Sequence, residues 1–194
     1  DNADDAGMPA LARGEDERPI DVDRREKSLG SERTLESDVR GRERVRKELL
    51  ALVDDVAAEL RSRKLRAGGV RVKLKYADFR RVSRELTLPE PACDAQTLLA
   101  AIDSLLPRIE TERPIRLVGI ACTRLVDDEA PRQASLFGGE ASEQPGAVTT
   151  PGPMATERHE RLGRALDAIH AKYGGDAIGR AAAGPRHERV PRGE

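Results

Sequence analysis

Three cations, Arg71, Lys73 and Lys75, alternate with Val70, Val72, Leu74 and Tyr76. Period two of this kind describes a strand with one packed face and one cationic face. Twice the rise per residue sets these cations about 7 Å apart, a spacing comparable to that of successive phosphates along a DNA strand. Long basic side chains on such a face give position and salt-sensitive affinity rather than base readout. No exposed aromatic alternates with them, which argues for duplex backbone over a single-strand stacking platform. A second feature is Gln133-Ala134-Ser135-Leu136-Phe137, an isolated apolar pair in a stretch rich in Gly and Pro. Leu136 and Phe137 cannot be core there. They read as a peptide for another protein's pocket, the alternative being a local staple folded back on the chain's own domain.

Catalytic chemistry has less to work with. Carboxylates cluster at Asp54-Asp55 and at Asp127-Asp128-Glu129. Helix neighbours diverge by about 100°, so Asp54 and Asp55 do not easily share a metal, and the second cluster sits at the mouth of a linker. His159 and His170 lie about three helical turns apart, and His187 is in the tail. Cys93 and Cys122 form no CxxC pair and join no histidine in a zinc pattern. Neither a Walker nor a dinucleotide glycine motif is present. No catalytic residue, metal ligand or cofactor is expected on this chain.

The elements that must hold these residues follow from periodicity. Lys27 to Val39 is strand-like, with Thr34, Leu35 and Val39 as the expected packed positions. Asp38 is expected to cap a helix in which Val45, Leu49, Leu52, Val56 and Leu60 recur at steps of three and four. Arg42, Arg46, Lys47, Arg61 and Arg63 take its other face, and Gly68-Gly69 is expected to end it. After the cationic strand, Ala77-Asp78 turns into a strand from Phe79 to Leu88 that Pro89 and Pro91 stop. Its alternation is poorer, because Arg84 falls between Val82 and Leu86. Asp94 caps a second helix carrying Leu98, Ile102, Leu105 and Ile109, and Pro114 opens a last strand from Ile115 to Val126. The order β-α-β-β-α-β predicts an α+β fold: a four-stranded sheet, two helices on one face and the other face free. Residues 131–153 hold eight Gly or Pro and read as a disordered linker. A last amphipathic helix, from Ala155 to Lys172, carries Leu162, Leu166 and Ile169 and either docks or stays free.

Composition agrees with a modest folded domain between solvated flanks. Charged residues are 36% and apolar ones 38%, and Trp is absent. Residues 1–39 carry 6 Lys/Arg against 12 Asp/Glu, whereas residues 40–87 carry 15 against 7. A basic block between acidic flanks suggests a local polyanion-binding surface. The longest apolar run, Leu117 to Cys122, is too short to cross a bilayer. With no start methionine and no signal peptide, the chain reads as a fragment of a cytosolic protein, monomeric and without a membrane partner.

Ordered motifs then add up to a family. Lys27-Ser28-Leu29-Gly30-Ser31-Glu32-Arg33-Thr34-Leu35 is similar to KS(I/V)GxExTF, and Val72 to Phe79 to VKLRYxDF. Val82-Ser83-Arg84 is similar to V(S/T)R, and Arg116 to Ile120 to RLLGV. These segments resemble the little-finger domain of Y-family DNA polymerases. Ala12-Arg13-Gly14 and Arg18-Pro19-Ile20 are similar to the ARGxDxRPV that ends their thumb and tether. Gln133 to Phe137 is similar to the QxSLF peptide by which bacterial members bind the sliding clamp, and the whole likeness points to their polymerase IV branch.

The resemblance implies four segments: the end of the thumb and tether over 1–24, a DNA-binding little finger over 25–127, a linker over 128–153, and a helix and tail over 154–194. It implies phosphate contacts from Ser28, Gly30 and Ser31 and from Lys73, Lys75 and Arg84, beside the Arg71 of the same cationic strand. It implies clamp contacts from Gln133, Ser135, Leu136 and Phe137. The full-length family performs error-prone translesion DNA synthesis in damage tolerance, in the nucleoid-associated cytoplasm. It uses Mg2+ and carboxylates of a palm that this sequence does not include, so no nucleotide incorporation is expected of the chain alone. The alternatives are a non-catalytic clamp-binding regulator and a mutagenesis adaptor of the same family.

Overall fold

A computed structural model describes residues 27–128, 153–175 and 177–180. The period-two stretch lies in the second of four strands: β1 (Ser28–Val39), β2 (Leu65–Tyr76), β3 (Arg81–Ala92) and β4 (Ile115–Asp127). Helix α1 (Arg42–Ser62) joins β1 to β2, helix α2 (Ala95–Leu105) with a short 3-10 turn (Leu106–Arg108) joins β3 to β4, and α3 (Pro153–Tyr173) follows. The sheet order is β1-β4-β2-β3, and every neighbouring pair is antiparallel. It follows that β1 and β2 run parallel with β4 between them, while β3 and β4 run parallel with β2 between them. Two split βαβ units interlock in one sheet.

Both helices bury their apolar stripes on one face of that sheet. Val45, Leu49, Val53, Val56 and Leu60 of α1 and Leu98, Ile102 and Leu105 of α2 meet Val70, Val72 and Leu74 of β2 and Val118, Ile120 and Cys122 of β4. The α+β architecture is therefore as expected, and among the described residues the other sheet face carries no helix. Asp94 caps α2 as expected, accepting a hydrogen bond from the Thr97 N–H at 2.9 Å.

Several boundaries differ, each for a local reason. Asp38 does not cap α1; it stays in β1, where its carboxylate accepts from Arg116 at 3.3 Å, and Gly41 (φ 89°) starts the helix while its N–H donates to the Thr111 carbonyl. The left-handed conformation there suits a residue without a side chain. Gly68-Gly69 does not end α1. Lys64 (φ 55°) makes that turn, and both glycines lie inside β2. Pro89 and Pro91 do not stop β3, because it is the sheet's edge, where a missing N–H faces no partner strand. In β1, Leu35 and Val39 pack against the core as expected, but Leu29 is the fully buried residue and Thr34 is exposed opposite Leu117.

The last helix docks. Arg61 of α1 holds Asp167 through two hydrogen bonds (2.6 and 2.7 Å) and also donates to the Cys93 carbonyl at 3.1 Å. Buried Arg66 of β2 donates to Glu160 at 2.7 Å and pairs with Asp128. Burial works against the Arg66 charge, but the bonds to Glu160 and Asp128 outweigh it and hold its proton more firmly than usual.

Candidate nucleic-acid interface

Residues directly opposite one another in an antiparallel pair share a face, so the register assigns each predicted contact to a side of the sheet. Arg71, Lys73 and Lys75 of β2 stand opposite Ala121, Gly119 and Leu117 of β4, on the side without helices. Ser28 and Gly30 of β1 join them there, opposite Thr123 and Ala121. On the far edge, β3 adds Arg81, Ser83 and Glu85. The middle of this face is low, because Gly119, Ala121 and Thr123 are small and buried. Long side chains from β1, β2 and β3 rise around a shallow floor.

Two predicted residues point elsewhere. Ser31 stands opposite Ile120, on the helix-packed side. Arg84 stands opposite Val72, whose side chain is in the core, so it belongs to the other face at the sheet's edge, with its guanidinium on the Ser83 carbonyl at 2.9 Å. The three cations and Arg84 are therefore not one surface. Gln133, Ser135, Leu136 and Phe137 lie outside the described residues, as does the 1–24 segment.

The charge of the face is less even than the alternation of β2 suggests. Lys73 crosses over Gly119 to Glu32 of β1, Nζ to Oε1 2.7 Å. A side chain at Gly119 would meet Glu32: an added Cβ would lie 2.6 Å from its Cγ. Arg71 donates to Glu85 from Nε and Nη2 at 2.9 and 2.5 Å, and Thr123 donates to the same carboxylate at 2.9 Å. The Arg71 bonds, with help from Thr123, hold the Glu85 carboxyl below the ordinary glutamate range despite its partial burial. Lys75 and its cross-strand neighbour Arg81 have no carboxylate partner among the described residues. Uncompensated charge thus gathers at the β2–β3 end of the face.

An aromatic ring stands at that end. Phe79, in the turn between β2 and β3, is 61% exposed, with the Lys75 ammonium 4.5 Å and the Arg116 guanidinium 5.3 Å from its centroid. This ring does not alternate with the cations along β2, which is all the sequence pattern addressed, but stands at the end of their row. Alternation along β2 ends at Tyr76, which is buried, and the turn brings the next ring back to the cationic side.

The family model described as "impB/mucB/samB family C-terminal domain" matches residues 26–136. The chain belongs to the impB/mucB/samB family. All four strands and the first two helices lie within the matched segment, and α3 lies beyond it. Among its relatives, a DNA polymerase IV of Desulfatibacillum aliphaticivorans is 33% identical over 89% of this chain and 41% of that protein. A DNA polymerase IV of Alkalilimnicola ehrlichii is 39% identical over 66% of this chain and 36% of that protein. The chain thus spans about two fifths of the length of these curated relatives. A solved structure described as "Complex of beta-clamp processivity factor and little finger domain of PolIV" is 27% identical, with a TM-score of 0.44, covering 57% of this chain and 98% of that one. By sequence, the chain resembles a part of DNA polymerase IV that falls in the family's C-terminal domain.

Proposed function

We propose that this chain binds duplex DNA through its phosphates, laying the helix-free sheet face along the backbone, and that Gln133 to Phe137 tethers it to a sliding clamp. The observation that carries the first half is the row of Arg71, Lys73 and Lys75 above a floor of small residues. Among the described residues nothing on that face is shaped to read bases, so affinity should not depend on sequence. In a longer protein that shares this segment, such a grip would steady primer and template beside a separate palm, where Mg2+ and carboxylates perform translesion synthesis. Ser28 and Gly30 remain phosphate contacts in this reading, and Ser31 and Arg84 do not.

Anisotropy of a labelled primer–template against salt tests the DNA half. Neutralising about two to four phosphates gives a log–log slope of about −2 to −4. A flat titration, or a strong preference for one sequence, would overturn it. For the clamp half, burying Leu136 and Phe137 is worth about 3–6 kcal/mol gross, against about 2–5 kcal/mol for ordering the segment. A dissociation constant of about 1 μM is expected. Calorimetry with purified clamp should show binding lost in the Leu136→Ala/Phe137→Ala double variant, with its melting temperature unchanged. A lower melting temperature with intact clamp binding would mean that the two residues fold back on their own domain.

A further inference from the structure

The turn after β2 spends conformational energy on presenting a ring to water. Phe79 holds a φ of 66°, a left-handed conformation that bulky side chains seldom adopt. Its surroundings fix it there. The Phe79 N–H donates to the Tyr76 carbonyl (3.0 Å), the Tyr76 N–H to the Arg80 carbonyl (2.9 Å) and the Ala77 N–H to the Pro114 carbonyl (2.9 Å). The Asp78 carboxylate accepts from the Arg80 N–H at 3.2 Å and from Arg113 at 2.5 Å. Beneath the turn, buried Tyr76 donates its hydroxyl proton to the Glu110 carbonyl at 2.9 Å. Strained backbone persists where its surroundings over-determine it, and such places are often binding sites.

The company of the ring indicates its ligand. Lys75 and Arg116 flank it, and Arg81 stands beside Lys75 in the ladder. An apolar partner residue would use the ring and leave the cations unused. A fully paired backbone would use the cations and leave the ring in water. A nucleotide with an unpaired base uses both, its base on the ring and its phosphates on the cations. We propose that Phe79 is a stacking contact for an unpaired base where single-stranded DNA leaves the duplex, with Lys75 and Arg81 on the adjoining phosphates. This inference rests on the duplex-binding reading above and adds a junction preference to it.

The chain has no Trp, so Phe79→Trp in the full chain places a single indole at the tip. Blunt duplex and the same duplex with a single-stranded overhang are titrated, anisotropy of the labelled DNA reporting binding and indole emission reporting stacking. The expected result is binding to both, with emission quenched by the overhang substrate alone. Phe79→Asn, which tolerates the φ, should keep blunt-duplex affinity and lower overhang affinity by about fivefold or more. Equal emission on both substrates while anisotropy shows binding would overturn the stacking role, as would an unchanged overhang affinity in Phe79→Asn. If anisotropy moved for neither DNA, the duplex-binding reading would fall and the stacking role with it.

Discussion

Lys73 reaches Glu32 because Gly119, between them in the same cross-strand row, has no side chain to obstruct the crossing. The pair is half-exposed, its two side chains 40% and 44% accessible, so it adds little stability but takes one charge out of the cationic row. Glu32→Gln should return that charge. DNA affinity is then expected to rise by a few fold, and the salt slope to steepen by about one, with the melting temperature nearly unchanged. Anisotropy at two salt concentrations checks both numbers, and an unaltered slope would show that Lys73 does not face phosphate. Alternation in the sequence correctly put Arg71, Lys73 and Lys75 on one side of a strand. It could not show that Glu32 and Glu85 would meet two of them, because that depends on register, with β1 distant in sequence and with β3 across the turn. Arg84 was misjudged for a related reason: its charge suggested the cationic face, whereas strand parity puts it opposite Val72 on the other one.

The tail helix has its own arithmetic. Glu160 is 8% exposed and depends on Arg66 for compensation. Arg66→Met removes that partner, a loss of about 3–5 kcal/mol if nothing moved. Undocking α3 would return Glu160 to water, so the actual loss cannot exceed the free energy of docking the helix. The expected outcome is a small change in global melting with a large rise in amide exchange across α3. Adding Glu160→Leu should restore much of the protection. Periodicity located all the helices and strands described here but could not fix their ends. The termini were decided by contacts that composition does not carry: Lys64 in a left-handed turn, two prolines harmless on an edge, and Gly41 against the Thr111 carbonyl. Docking of α3 was left open by its Leu162, Leu166 and Ile169 stripe, and Leu162 in fact remains 53% exposed. The contacts that hold the helix include ion pairs from Arg61 and Arg66, which the apolar pattern does not register.

Sheet order also has a consequence in time. Among the described residues the only strand beside β1 is β4, and β4 separates β1 from β2. A chain synthesised from its N-terminus therefore completes β1 at Val39 and must wait until Ile115 for the strand that pairs with it. Loop closure is paid for before such pairing rewards it, so beyond the local β2–β3 hairpin the sheet is expected to assemble in a late, non-local step, with refolding on the order of milliseconds to seconds. A fragment ending at residue 112 should show no cooperative thermal transition by circular dichroism, although it retains α1, α2 and three of the four strands. In stopped-flow refolding, Ile120→Val, at the centre of β4, should slow folding, whereas Arg66→Met should act mainly on unfolding. On the ribosome the domain stays open until β4 has cleared the exit tunnel, and through that interval the unpaired β1 is the edge most exposed to wrong partners.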